Sequence, residues 1–405
     1  MRILMMTGSL PYPPQQGGAL RSFGILHGLH QAGHEIVLLS FYDGTVDIAS
    51  TPLAEYCTRV ETVPTPQRTM KQRLRDLALS GHPDIARRLY SNPFAQLLQN
   101  ILREQPIDLV QAEGLEMACY LPLAKRSKPD VRLCYDAFNA EYSLQQTMGR
   151  IDSGELRRLP ATVYSMLQAP RIMRFEQEIC RKSDLVIAVS SEDAADLHKL
   201  TPEKHIPVVP NGIFVEQYEH PGEQLELGEN ALLFTGTMDY RPNVDAMLWF
   251  VSSVLPLIRN SIPDAQLYIV GQKPHPRLTG LRDTRGIHIT GRVASVQPYL
   301  HSTSVYVAPL RMGGGTRLKI MEAMASGCAI VATSIGASGL HNDAKRAMLI
   351  ADSAVEMANA VVRLLEDPDR RKELGETAHK YVKAYYDWSV LIPQLLTIYG
   401  NERVE

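Results

Sequence analysis

Two doubly wound α/β domains are implied by three features of this 405-residue chain. Short, continuous apolar runs alternate with amphipathic segments of helical length along the whole sequence. The alternation breaks once, at a stretch rich in Pro, Gly and Glu. The length suits two to three domains at roughly 150 residues each. Hydrophobic residues make up 45% and charged residues 21% of the chain, an ordinary soluble composition that excludes disordered, collagen-like and disulfide-rich classes. Lys and Arg number 42 against 44 Asp and Glu, and this balance argues against a nucleic-acid binder, which would carry a basic excess.

The runs in the first half are RILMMTG (2–8), EIVLLSF (35–41), RVETVP (59–64), DLVQAEG (108–114), VRLCYDA (131–137) and DLVIAVS (184–190). Those in the second half are ALLFTGT (231–237), AQLYIVG (265–271), IHITGR (287–292), VYVAPL (305–310), AIVAT (329–333) and AMLIAD (347–352). Apolar runs without polar alternation suit parallel strands covered on both faces. Helices are predicted between them, among others over 19–32, 244–260 and 317–325, with right-handed crossovers. The break at 208–229, VVPNGIFVEQYEHPGEQLELGE, has the composition of a domain linker and leaves two parts of similar size.

The apolar start ILMMTGSL meets Pro11, Pro13 and Pro14 without a small-residue cleavage site, so it reads as a first buried strand rather than a leader. No run reaches the eighteen or more apolar residues of a spanning helix. Five cysteines without CxxC spacing indicate neither a disulfide framework nor a zinc ribbon, and a reducing, cytoplasmic setting is expected. His27, His30 and His34 have spacings compatible with one helix face, but no carboxylate or Cys completes a ligand set, and no metal site is expected.

Between 68 and 104, Arg68, Lys71, Arg73, Arg75, Arg87, Arg88 and Arg103 outnumber Asp76, Asp84 and Glu104, with leucines interleaved. A solvated helix pair covering the sheet is one reading. A basic amphipathic surface for anionic lipid or a lipid-linked acceptor is the other.

Two glycine loops carry the chemistry. After the run ending at Leu310, Gly313, Gly314 and Gly315 lead into a helix starting near Thr316. Such a junction lets a ligand approach the backbone, and the helix start favours an anion. Arg317 and Lys319 in the first turn oppose the helix dipole, which points to a negative ligand there. Glu322, among Met321, Ala323 and Met324, is either a satisfied core carboxylate or an acceptor for vicinal ribose hydroxyls. The loop has no GxxxxGK[ST], and Leu318 stands where GxGxxG would require its last glycine. The second loop, 8–22, places Gly17 and Gly18 at a helix start and Arg21 in its first turn, again suggesting an anion; simple turn chemistry is the alternative for its glycines.

Taken in order, PPQQGG (13–18), FEQEICRKSDLVIAVSSED (175–193), VVPNG (208–212), FTGTMDYRPNVDA (234–246), PLRMGGGTRLKIMEAMASG (309–327) and YDWS (386–389) resemble the retaining, nucleotide-sugar-dependent glycosyltransferases of family 4. The GGGTRLKIMEAMA stretch resembles a bacterial subgroup that makes polysaccharides and glycoconjugates. The resemblance covers nearly the whole chain. It implies the GT-B fold, two Rossmann-like domains facing across a cleft. An acceptor-binding domain would span 1–213, and a nucleotide-sugar-binding domain 214–385. A last helix, about 386–405, would pack back on the first domain.

By the same resemblance, Glu322 matches the residue that holds the donor ribose. Gly17, Gly18, Gly236, Arg241, Gly313, Gly314, Gly315, Thr316 and Leu318 would complete the donor site, and Asn139 and Glu141, with Arg21, the acceptor site. The chain departs from the family in three places. Gly314 replaces a glutamate that often contacts the donor sugar. Thr237 and Pro242 stand where many members carry the Arg and Lys that grip the diphosphate, so Arg317 and Lys319, helped by Arg241, are expected to take that charge. Phe138 replaces a frequent His. The implied reaction moves a sugar from a nucleoside-diphosphate sugar to a hydroxyl of a saccharide or lipid-linked acceptor. It retains configuration by front-face attack and uses no metal or other cofactor, since no DxD motif is present. A non-catalytic nucleotide-sugar-binding subunit, and a sugar phosphorylase or epimerase of related fold, are the alternatives. Cytoplasmic location, with peripheral contact to an anionic membrane through 68–104, is expected.

Overall fold

Side chains that are apolar on both faces drive the central runs into the interior, and every predicted run forms a strand in the computed structural model. It describes residues 1–14, 17–45, 47–152, 159–220, 222–312 and 318–400. The strands of the first half are β1 (Arg2–Thr7), β2 (Glu35–Phe41), β3 (Arg59–Val63), β4 (Leu109–Glu113), β5 (Arg132–Ala137) and β6 (Leu185–Ala188). They make one parallel sheet in the order β3-β2-β1-β4-β5-β6. The second half contributes β7 (Ala231–Thr235), β8 (Gln266–Val270), β9 (Ile287–Gly291), β10 (Val305–Ala308), β11 (Ile330–Ala332) and β12 (Leu349–Ile350). These form a second parallel sheet in the order β12-β11-β10-β7-β8-β9.

Burial explains the missing polar alternation. Leu4 and Met6 of β1 join one core cluster, while Ile3 and Met5, pointing the other way, are equally inaccessible. In β7, Leu232 and Phe234 belong to one cluster and Leu233 to another. Each such side chain contributes about 1.5–3 kcal/mol relative to exposure.

Two departures have local causes. The helix expected over 244–260 is interrupted. It runs over Arg241–Trp249, widens into a π turn at Phe250–Val254, and resumes at Leu255–Ser261. Pro256, in the first turn of the last piece, has no N–H to give the ladder, which accounts for the change. The segment 68–104 forms three helices rather than a pair, Met70–Leu79, Asp84–Arg88 and Asn92–Glu104. Thr69 and Gln72 close the first as a capping box.

The chain divides into Met1–Pro210 together with the stretch from Ile392, and Asn211–Leu391. The return therefore comes after the expected 386, and Asp387 and Trp388 explain the delay. Ile213 pairs with Asp387, whose Oδ2 accepts from the Val215 N–H at 3.1 Å. A Cβ on Gly212 would lie 2.6 Å from the Trp388 ring, so only glycine admits the indole there. The last helix, Trp388–Gly400, joins the first unit from Ile392 onward. A Cβ on Gly28 would fall 2.2 Å from Ile392 Cγ1, the close approach that glycine permits. Near the end of that helix the Tyr399 hydroxyl bonds Gln111 Oε1, and its carbonyl accepts from Arg132 Nη1 at 2.6 Å.

Candidate functional site

Open parallel sheets bind ligands at the carboxyl ends of strands where strand order reverses. In the first sheet the reversal falls between β1 and β4, and a cavity of about 400 Å³ opens there. Thr7, Ser9, Gly18, Glu113, Glu116 and Glu141 are among its lining groups, with Phe138 and Asn139. Phe138 occupies its wall closely, since a Cβ on Gly18 would sit 2.9 Å and one on Gly114 3.3 Å from the ring. Asn139 Nδ2 donates to Glu141 Oε1 at 3.2 Å, while the backbone N–H groups of Glu141 and Tyr142 donate to the buried Glu176 at 3.1 and 2.9 Å. Burial raises the Glu141 carboxyl above its usual range, against the lowering effect of the Asn139 bond. The Thr7 hydroxyl is buried and has no hydrogen-bond partner among the described residues.

Glu113 ends β4 inside the same wall. Its carboxylate accepts from Ser22 Oγ at 2.8 Å and from Gln111 Nε2 at 2.6 Å. Burial, and then the charge of Asp136, push it up to about 8, although Arg21 and the two hydrogen bonds oppose the shift. The folded protein thus holds a proton that the unfolded chain releases near 4.5. This contribution to stability is complete at acid pH and is lost as pH rises toward 8. Glu113→Gln is expected to flatten the fall in melting temperature between about pH 5 and 8. Parallel melting curves of the two proteins across that range would contradict the assignment.

Arg21 requires a correction. It was expected to meet an external anion or acceptor, but its guanidinium is 1% exposed. It forks onto Asp136 at 2.7 and 2.6 Å and donates to the Val209 and Pro210 carbonyls at 2.9 and 3.1 Å. The anion that tolerates a cation in this first turn is internal. Gly17 begins the helix Gly17–Gln31 and is exposed. His27 and His30 pack on Tyr56 with centroids 5.0 and 5.1 Å apart, as part of an aromatic cluster. Among the described residues, no group of three or more His, Cys, Asp or Glu is placed to hold a metal.

In the second sheet the order reverses between β7 and β10. Gly236 follows β7 with φ +147°, and its carbonyl leaves no room beside Gly271, where a Cβ would come within 1.7 Å. Lys319, in the helix Leu318–Ala325, reaches this bend. Its Nζ donates to Asn243 Oδ1 at 2.7 Å and lies 4.3 Å from the Phe234 ring centroid. A Cβ on Gly236 would stand 2.6 Å from that Nζ, so the ammonium abuts the glycine backbone. Asn243 is itself held by the Thr237 carbonyl at 2.8 Å.

One turn further along, Glu322 accepts from the Tyr218 hydroxyl at 3.1 Å. Burial raises its carboxyl, while the Tyr218 bond and the Lys319 charge pull it down. Leu318 opens the helix half-buried, and Arg241 is exposed at the start of Arg241–Trp249. Gly313, Gly314, Gly315, Thr316 and Arg317 lie outside the described residues. The structure thus brings together Gly236, Lys319 and Glu322. It adds Asn243 and Tyr218, for which the sequence held no motif. Glu113 was also missed, although an acid closing an apolar strand was a usable signal.

A family model described as Glycosyltransferase Family 4 matches residues 17–217, and one described as Glycosyl transferases group 1 matches 229–367. The chain is 21% identical to a Klebsiella pneumoniae protein described as an uncharacterized 44.6 kDa protein in the cps region, over 95% of this chain and 96% of the relative. It is 28% identical to a phosphatidyl-myo-inositol mannosyltransferase of Propionibacterium freudenreichii, over 60% of this chain and 64% of that one. Among solved structures, sucrose-phosphate synthase of Thermosynechococcus elongatus superposes with a TM-score of 0.70 at 15% identity, covering 99% and 98% of the two chains. The Anabaena protein HepE in complex with UDP does so at 0.65 and 14%, covering 99% and 100%. The chain belongs to the family 4 glycosyltransferases and has their two-domain GT-B fold.

Proposed function

We propose that this transferase moves a sugar, in the first instance a hexose, from a nucleoside-diphosphate sugar to a hydroxyl of a saccharide or lipid-linked acceptor. The observation that carries this reading is Lys319, whose ammonium is fixed by Asn243 against the Gly236 backbone with Glu322 one turn away. A fixed cation at a backbone bend suits a departing diphosphate, because it stabilises charge that develops only as the glycosidic bond breaks. Glu322 would take the ribose hydroxyls, and Arg317 would share the phosphate charge. With protein cations in that place, transfer proceeds without a metal. Configuration is retained by front-face attack, the leaving phosphate accepting the acceptor proton.

The likeness to HepE, solved with UDP, supports a uridine nucleotide as the first donor to test. The Klebsiella relative from the cps region supports a role in polysaccharide or glycoconjugate assembly. The acceptor is assigned to the first unit, where Asn139 and Glu141 line the cavity at β1 and β4. We place the enzyme in the cytoplasm, with peripheral contact to an anionic membrane through 68–104.

The decisive experiment is a melting-temperature screen with UDP, GDP and their sugars, followed by transfer assays with the donor that binds. Binding to the folded state raises the midpoint by mass action. An α-linked product from an α-linked donor, formed equally in EDTA, is the expected outcome. Inverted product or abolition by EDTA would overturn retention or metal independence. A donor that binds without turnover against any acceptor, or without hydrolysis, would favour a non-catalytic subunit.

A further inference from the structure

Beside the cavity at the ends of β1 and β4 lies a second one of about 550 Å³. The two share Ile85, Arg88 and Glu141, so one ligand can reach into both. Their chemistry differs. The inner cavity presents Glu113, Glu116 and Glu141, with Asn139 and the unpartnered Thr7 hydroxyl. Such a wall offers the acceptors and donors that sugar hydroxyls need. The outer cavity is lined by Arg68, Arg73 and Arg88.

Two of these arginines are already committed. Arg68 bridges Asp76 and Asp84 at 3.0 and 2.9 Å, so the Asp84 carboxylate of this outer wall is paired. Arg88 holds Glu116 at 3.0 Å. Arg73 is exposed and makes no side-chain hydrogen bond or ion pair among the described residues. It faces a cavity whose nearest carboxylates are paired or, in the case of Glu141, held up toward the neutral form by burial.

We propose that the acceptor carries a phosphate group seated on Arg73 in the outer cavity, with its hydroxyl-bearing ring in the inner one. This rests on the transferase reading above and narrows its acceptor to phosphorylated saccharides or polyols. The ligand's direction follows from the cations, because Arg68 and Arg73 line only the outer cavity. Guanidinium is suited to the task, since it presents a planar fork to phosphate oxygens. The phosphate can belong to a soluble sugar phosphate or to a lipid headgroup.

The test uses the full chain and two probes, inorganic phosphate followed by calorimetry, and phosphatidylcholine vesicles with or without phosphatidylglycerol followed by flotation. The variants are Arg73→Ala, Arg73→Lys and Arg75→Ala. Arg75 is on the same helix and 68% exposed but does not line the cavity. Arg73→Ala is expected to weaken at least one probe about tenfold or more, with partial recovery in Arg73→Lys and little change in Arg75→Ala. Loss confined to phosphate identifies a soluble acceptor, and loss confined to phosphatidylglycerol a lipid-borne one. Binding that falls equally in Arg73→Ala and Arg75→Ala, or is insensitive to Arg73, or is absent from the unaltered protein, overturns the proposal. UDP affinity is measured alongside. Its absence in every protein would count against the donor reading while leaving the Arg73 result to stand.

Discussion

Lys319→Ala is expected to lower kcat by about two to three orders of magnitude, the size found when one fixed donor to a developing oxyanion is removed. Its ammonium is the cation that the described residues place against Gly236, and Asn243 fixes it before any ligand arrives. That preorganisation makes the contribution large, because little reorientation is needed as charge develops. The fold should survive. Asn243 is neutral and keeps its bond to the Thr237 carbonyl, and the buried Glu322, which loses the Lys319 charge, keeps the hydrogen bond from Tyr218 and can take up a proton. Lys319→Arg should restore only part of the rate, since a planar fork does not replace a compact ammonium at one bend. Steady-state release of nucleoside diphosphate, with melting curves as the control for folding, checks this. Turnover unchanged in Lys319→Ala would remove it from the mechanism.

The second large effect concerns stability. Arg21→Ala should destabilise the first unit by about 3–5 kcal/mol, because it leaves Asp136 buried without its counter-charge. Both side chains are almost wholly inaccessible, at 1% and 0% exposure, and the guanidinium also holds the Val209 and Pro210 carbonyls. For a unit of this size the melting midpoint should fall by about 10 °C. Replacing both partners, Arg21→Met with Asp136→Leu, should recover most of the loss, since the cost lies in the orphaned charge rather than in the pair. If the double variant melts as low as the single one, packing around the guanidinium, and not charge, is what matters there.

This pair also marks the limit of what the sequence discloses. Arg21 was recognised as anomalous in its helix, and the anomaly was real. Its partner lies 115 residues away, a distance at which no local pattern connects two residues. The strands were legible because parallel strands covered on both faces leave continuous apolar runs, and both sheets follow from them. Lys319 and Glu322 were legible because a charge in a short apolar helix stands out against its neighbours. Asn243 and Tyr218 were not, since an amide and a phenol acquire meaning only through what folding brings beside them. The late return of the chain, at Ile392, was hidden for the same reason, being set by the pairing of Asp387 with Ile213 and the seat of Trp388 on Gly212.

That return has a consequence for the order of synthesis. Ile392 fills the space left by Gly28, and Tyr399 bonds the Gln111 that in turn holds Glu113. A chain emerging at about 5–20 residues per second exposes Gly28 and Gln111 long before Ile392 and Tyr399 exist. The first unit is therefore begun first and completed last. Until translation has passed through the whole second unit, the cavity at the ends of β1 and β4 lacks the side chain that anchors its Glu113 wall.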